Sequence, residues 1–288
     1  VLLMGHRFAD LDALGAAVGL YQPIQQMGKP VKIILNSRAN MVKQMHAHLL
    51  EQGFETAFIE PEVAPEYVQE DTLLIIVDVH TPHFIEAPEV YKKCKNVVVI
   101  DHHRRAATYI EGAAFNFHEP YASSASELVT ELLQYLLEPA DLLKTEAEAL
   151  LAGMVLDTKQ FTMRTGSRTF EAAAFLRRSG ADTGDVKKLF QNDLEGTIAK
   201  YDIIQNAKMY HEGIAVAKVD HTVGRITAAQ AADELLNISG IDTSFVLFPD
   251  QEGRVILSAR SMGDVNVQVV LEKLGGGGNA ATAGAQVK

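Results

Sequence analysis

Imidazoles and carboxylates recur in this chain where apolar runs give way to polar residues. His6, Asp10 and Asp12 follow the apolar opening Val1 to Met4, and Asp78 follows Leu73 to Val77. Asp101-His102-His103-Arg104 follow Val97 to Ile100. Asp157 lies three residues past Met154 and seven past Leu150, which helical spacing places on a buried face. A carboxylate buried there needs a cation or a set of donors. Asp10 and Asp12 are two residues apart, so on a loop they diverge, which favours two neighbouring ions over one pinched between them. The whole set offers enough donors for two divalent ions, with Asp78 on a central strand as the bridge. Imidazole and carboxylate without thiolate suit Mn2+ better than structural zinc. Two such ions, about 3.5–4 Å apart, can hold a hydroxide and clamp the oxygens of a phosphoryl centre.

Composition narrows the partners. The 288 residues carry a net charge of −11, which argues against long nucleic acid while leaving room for a small phosphorylated ligand. A single cysteine, Cys94, excludes an internal disulfide and any thiolate cluster. No apolar run approaches the ~18 residues that span a bilayer, and no signal-peptide pattern is present. The chain opens on Val1 inside an apolar run, and the expectation is a fragment of a longer protein.

The elements that must position these groups alternate. Apolar runs at 1–4, 31–35, 57–59, 73–77 and 97–100 read as strands, and Leu14 to Met27 and Met41 to Gln52 as helices. The expected fold is α/β: a doubly wound, mostly parallel sheet, followed by a smaller α/β C-terminal domain across a cleft. His46 and His48 read as solvated helix residues; His80 and His83, whose spacing could suit a metal, read as residues of a Pro-containing loop. Residues 115–127 read as a polar turn feeding a helix, with Ser124 as its cap and Glu127 completing a capping box. The same helix start could receive a phosphate. Helices are expected at 145–161, 169–178, 182–188 and 195–209. The boundaries are expected at 1–190 for the first domain, 191–205 for a helical linker and 206–288 for the second domain. The second domain holds a helix at 227–236, a hairpin-like pair at 244–248 and 254–260, and a helix at 265–274. It ends in Gly275-Gly276-Gly277-Gly278, either a flexible tail or a loop whose amides approach a ligand.

His-x-x-x-Asp-x-Asp at 6–12, the strand-end Asp78, the triplet Asp101-His102-His103 and Asp157 together resemble the DHH phosphoesterase family. The likeness spans essentially the whole chain, since the glycine-ended second unit looks like a DHH-associated domain. Gly5-His6-Arg7-Phe8-Ala9-Asp10-Leu11-Asp12 and Glu119-Pro120-Tyr121-Ala122-Ser123-Ser124 are similar to the GdpP type, bacterial cyclic-di-AMP phosphodiesterases. Full-length members of that type carry transmembrane, PAS-like and degenerate GGDEF segments ahead of this region. The resemblance implies a cytoplasmic-side catalytic fragment of a membrane-anchored protein, itself without membrane contact, and leaves room for a homodimer.

It also implies two Mn2+ ions, the first on His6 and Asp10, the second on Asp12, His102 and Asp157, with Asp78 shared. Asp101 would orient an imidazole, His103 would face the scissile phosphate, and Arg104 would contact it. Ser258, Arg260 and the glycines Gly276, Gly277 and Gly278 would hold the distal phosphate and an adenine. A hydroxide between the ions would open cyclic-di-AMP in line to linear 5′-pApA. Family members carry a histidine after the glycine run, whereas here Asn279 follows Gly278 directly. The expectation is a mobile loop lost between the two.

Two other readings stay open: an exonuclease for short RNA or a pyrophosphatase on the same metal site, and a nucleotide-sensing module without turnover. A dinucleotide-cofactor domain is disfavoured, since no Gly-x-Gly-x-x-Gly follows the first strand.

Overall fold

Strand β1 (Leu2–Met4) is buried on both faces, Leu3 in one core and Leu2 and Met4 in another. Strands covered on both sides belong inside parallel sheets, and this computed structural model, which describes residues 1–38, 41–191 and 194–287, shows one. After β1 come α1 (Leu11–Gln26), β2 (Lys32–Ile34), α2 (Lys43–Glu51), β3 (Phe58–Ile59) and β4 (Leu73–Val77). Then follow α3 (Pro88–Lys93), β5 (Asn96–Asp101), β6 (Phe115–His118), α4 (Ala125–Leu133), α5 (Lys144–Asp157), α6 (Ser167–Arg178) and α7 (Thr183–Lys188). The sheet order is β3-β2-β1-β4-β5-β6, every pairing parallel. Helices α1, α2 and α4 to α7 contribute to the core on one face, and α3 to the core on the other, so the sheet is doubly wound.

Strand order reverses between β1 and β4, and ligands of open α/β sheets bind at the carboxyl ends of strands at such a switch point. His6 lies two residues past β1, Asp78 directly past β4, and Asp101 is the last residue of β5. The first strand-to-helix turn therefore carries a histidine and acids where a dinucleotide fold carries glycines.

The chain divides into two compact units, Val1–Gln191 and Asn192–Lys288. In the second, α8 (Leu194–Gln205) precedes β7 (Ala207–His211), β8 (Gly213–Lys218), α9 (Arg225–Leu235) and β9 (Ile241–Pro249). There follow β10 (Val255–Ser261), α10 (Val267–Glu272), β11 (Gly277–Gly278) and β12 (Thr282–Val287). They form a mixed sheet in the order β11-β12-β10-β9-β8-β7, with β8 and β9 parallel and α9 crossing between them.

Several expectations are corrected. Residues 115–118 are a strand, β6, at the sheet edge, and 207–209 belong to β7 rather than to a longer helix. Both are edge strands without the buried apolar face that identifies a strand in sequence. The glycine run is neither a tail nor an open loop. β11 pairs directly with β12 through a turn at 279–281, where Asn279 Oδ1 accepts from the amides of Ala281 (3.0 Å) and Thr282 (2.9 Å). In this hairpin Asn279 follows Gly278 directly. A Cβ on Gly276 would lie 2.2 Å from the Gly284 carbonyl oxygen, so glycine there serves a close strand approach.

Candidate metal centre

Asp78 stands at the middle of the site in a left-handed conformation, φ 61°, which few residues other than Gly, Asn and Asp adopt readily. That turn, directly after β4, faces its two carboxylate oxygens toward different imidazoles. Oδ2 is 3.5 Å from His6 Nε2, and Oδ1 is 3.3 Å from His102 Nε2. Asp78 belongs to one donor group with His6 and Asp10 and to another with His102 and His103, and His102 also belongs to a group with Asp12 and Asp157. Within each, the candidate ligand atoms lie within 4.8 Å of one another.

The backbone explains how each donor arrives. Asp10 caps α1, its Oδ1 accepting from the amides of Asp12 and Ala13, both at 3.0 Å, and the same oxygen is 3.6 Å from His6 Nε2. Asp12, in the first turn of α1, is fully buried. Its carboxylate accepts from the amides of Ala125 (2.7 Å) and Ser126 (2.8 Å) at the start of α4. The anion received by that helix N-terminus is therefore Asp12, and the expected phosphate role of Ser124 is corrected. Ser124 is itself buried, and its hydroxyl oxygen accepts from Glu127 N at 2.9 Å as the helix cap. The capping box is only half formed, because the Glu127 carboxylate accepts from Ser123 N (3.2 Å) and Thr169 Oγ1 (2.6 Å) instead of returning to Ser124.

Asp157, the last residue of α5, is 3.2 Å from His102 Nε2 and retains partial exposure. Close packing of α5 on α1 and α4 brings it there. A Cβ on Gly153 would lie 2.7 Å from Asp12 Oδ1 and 2.2 Å from Ser126 Oγ.

The charge balance calls for cations. Burial opposes charge on both His6 and His102, yet their acidic neighbours prevail. Asp10 and Asp78 push His6 up to about 10, and Asp157 and Asp78 push His102 up to about 11. Burial, reinforced by neighbouring acids, raises Asp12 and Asp157. Asp78 is held low despite its burial, by His102 and His6. Among the described residues, Asp78 Oδ1 and His102 Nε2 are the two buried side-chain polar atoms with no hydrogen-bond partner. Such orphans are rare and call for an explanation such as an ion.

Asp101 is buried and touches two imidazoles. Its Oδ1 accepts from His103 Nδ1 at 2.8 Å, and its Oδ2 meets His80 Nδ1. His80, expected as a loop residue, is buried, and its Nε2 accepts from Ala106 N–H at 2.9 Å. An accepting Nε2 puts the ring proton on Nδ1, where it is donated to Asp101. Two imidazoles overcome the burial of Asp101 and keep its carboxyl far below the usual range. His103, half exposed, is raised by Asp101. No periodic pattern marks His80; its signal is only its place two residues after a strand-end acid.

His6, Asp10, Asp78, His103 and Arg104 line a cleft of about 420 Å3. In the second unit a cavity of about 510 Å3 is lined by Ser258, Gly276, Gly277 and, unforeseen in the sequence, Arg225. Arg260 is turned to Asp233 at 3.1 Å and to Ser258 Oγ at 3.4 Å, and Gly278 is paired in β11.

A model of the DHH family N-terminal domain matches residues 1–154, and one of the DHHA1 domain matches residues 211–288. Over its whole length the chain is 44% identical to cyclic-di-AMP phosphodiesterase GdpP of Geobacillus thermodenitrificans and 40% identical to that of Bacillus subtilis. It spans 44% and 45% of those relatives' lengths, less than half in each case. An exopolyphosphatase-related protein from Bacteroides fragilis matches in structure with a TM-score of 0.82 at 21% identity. That match covers 99% of this chain and 86% of the other, and supports the fold alone.

Proposed function

The chain belongs to the DHH family, and from that premise we propose that it is a two-metal phosphodiesterase hydrolysing cyclic-di-AMP to linear 5′-pApA. The observation that carries the reading is Asp78, whose two oxygens face two separate donor groups. The substrate follows the relatives that are cyclic-di-AMP phosphodiesterases.

The residues fit divalent ions: two buried polar atoms lack partners, and the donors are imidazole nitrogen and carboxylate oxygen without thiolate. His6 and Asp10 would hold one ion, Asp12, His102 and Asp157 the other, with Asp78 shared. Mn2+ is the proposed metal; bound there, the ions supply Lewis acidity toward the phosphodiester and lower the pKa of water.

Hydrolysis forms one P–O bond from water and breaks the bond from phosphorus to the 3′ oxygen. The departing oxygen needs a proton. His103, with Nδ1 donating to Asp101, has Nε2 to supply it. The ionised Asp101 keeps that imidazole oriented and favours its charged form. Arg104, in the cleft lining, is the proposed contact for a non-bridging oxygen. Ser258 and the Gly276–Gly277 backbone are proposed contacts for the distal half of the substrate, with Arg260 acting through Ser258. Among the described residues no helix is long and apolar enough to cross a membrane. The proposal places this region on the cytoplasmic side of a larger, membrane-anchored bacterial protein.

The test is a side-by-side assay of cyclic-di-AMP, pApA and pyrophosphate with Mn2+, with and without chelator, followed by 31P NMR. Metal-dependent conversion of cyclic-di-AMP to pApA is expected. Preferential cleavage of pyrophosphate or pApA would favour the other hydrolase readings, and binding without turnover a sensor.

A further inference from the structure

The cleft has two kinds of wall. Its charged part is formed by His6, Asp10, Asp78 and His103, and another part by Val79, Ala106 and the ring of Phe84. Phe84 is 51% exposed and Phe8 49% exposed, and the two rings meet edge to face at 6.5 Å. Large apolar side chains left half in water beside a charged cleft call for a reason.

The backbone under the pair is tied down. Arg7 N–H donates to the Phe84 carbonyl at 2.7 Å, and Glu86 N–H to the Gly5 carbonyl at 3.0 Å. Between them His6 and Ile85 form an antiparallel bridge, and Ile85 is anchored in the core. The loop carrying His6 and the loop carrying Phe84 are therefore one ledge. The Arg7 guanidinium lies 4.7 Å over the Phe8 ring, which leaves Phe84, in the cleft lining, as the ring on offer. A cleft of about 420 Å3 lies in the range of small-molecule sites. A ligand matching a charged floor beside a flat apolar wall carries an anionic group next to an aromatic ring.

We propose that Phe84, backed by Phe8, is a stacking platform for one nucleobase of the substrate at the mouth of the metal cleft. This rests on the reading of a nucleotide phosphodiester as substrate. Stacking is tolerant of base identity, so the platform supplies grip without choosing between purines.

The test uses the Mn2+-loaded chain with Phe84→Ala, Phe84→Tyr and Phe8→Ala, titrated with AMP and with ribose 5-phosphate, and assayed on cyclic-di-AMP. Phe84→Ala is expected to weaken AMP binding and raise KM by about tenfold, with kcat held within about twofold. Ribose 5-phosphate, which lacks the base, should bind the variant and the parent alike. Phe84→Tyr should keep parental affinity, and Phe8→Ala should show a smaller loss than Phe84→Ala. Manganese affinity by calorimetry should be the same in all. AMP affinity indifferent to Phe84, or equal losses for AMP and ribose 5-phosphate, would overturn the platform while leaving the metal site standing. A parent chain that binds no AMP at all overturns the nucleotide reading, and the platform with it.

Discussion

Asp78 Oδ1 and His102 Nε2 lie 3.3 Å apart, both buried, and neither has a hydrogen-bond partner. One follows β4 and the other β5, adjacent parallel strands whose register places Val77 beside Ile100. Sheet geometry thus sets the two side by side, and the neighbouring acids determine that a positive charge belongs between them.

Replacing Asp78 separates its charge from its backbone role. Asp78→Asn keeps a residue tolerant of φ 61° and should fold normally. It should lose more than about 100-fold in metal affinity, beyond what losing an outer hydrogen-bond partner costs a metal site. Asp78→Ala should in addition lose about 1–2 kcal/mol of stability from the left-handed conformation. Calorimetric metal titration and denaturant melts of both variants check this.

Metal binding should release protons. In the metal-free chain His6 and His102 are raised to about 10 and 11 from 6.5. The stabilisation they provide is complete below about pH 6.5 and is lost as pH rises through 10–11. Metal competes with those protons, so affinity should climb with pH over the same window. Titrations at pH 7 in buffers of different ionisation enthalpy should show proton release; proton-neutral binding would contradict the assignment of both imidazoles as ligands.

Gly153→Ala should strike the site through packing. The added methyl meets Ser126 Oγ at 2.2 Å and Asp12 Oδ1 at 2.7 Å. Overpacking of this kind costs about 1–3 kcal/mol, and the displaced Asp12 should weaken the metal as well. Thermal melts with and without Mn2+ should show a smaller metal-induced rise than in the parent.

His80 should matter through Asp101. Asn can present an amide N–H where Nδ1 stood, whereas Gln places its amide nearer Nε2. His80→Asn should therefore retain most of kcat and His80→Gln should lose about 10- to 100-fold, a part of the general-acid contribution. KM and manganese affinity should be unchanged in both. Equal kcat in the two variants would remove His80 from any role in orienting Asp101 and His103.

The strand-end acids were legible because they depend on local pattern. Leu73 to Val77 and Val97 to Ile100 are apolar runs that can only be buried strands, so Asp78 and Asp101 had to emerge at strand ends. The helix start at Ser124 was legible for the same reason, since capping joins residues three apart. Strands β6 and β7 were not, because edge strands lack the doubly buried signature.

By itself, then, the sequence determined a parallel α/β sheet with imidazole and carboxylate at the carboxyl ends of its strands. Tertiary structure decided that the α4 amides hold Asp12 across 113 positions, that the end of α5 carries Asp157, expected beside His102 only from the family likeness, to 3.2 Å from it, and that His80 buttresses Asp101. Local spacing governs what one strand or one helical turn can present. These three contacts arise from packing between distant elements, whose closeness is set by small side chains such as that of Gly153 and by strand order, neither of which leaves a periodic trace in the chain.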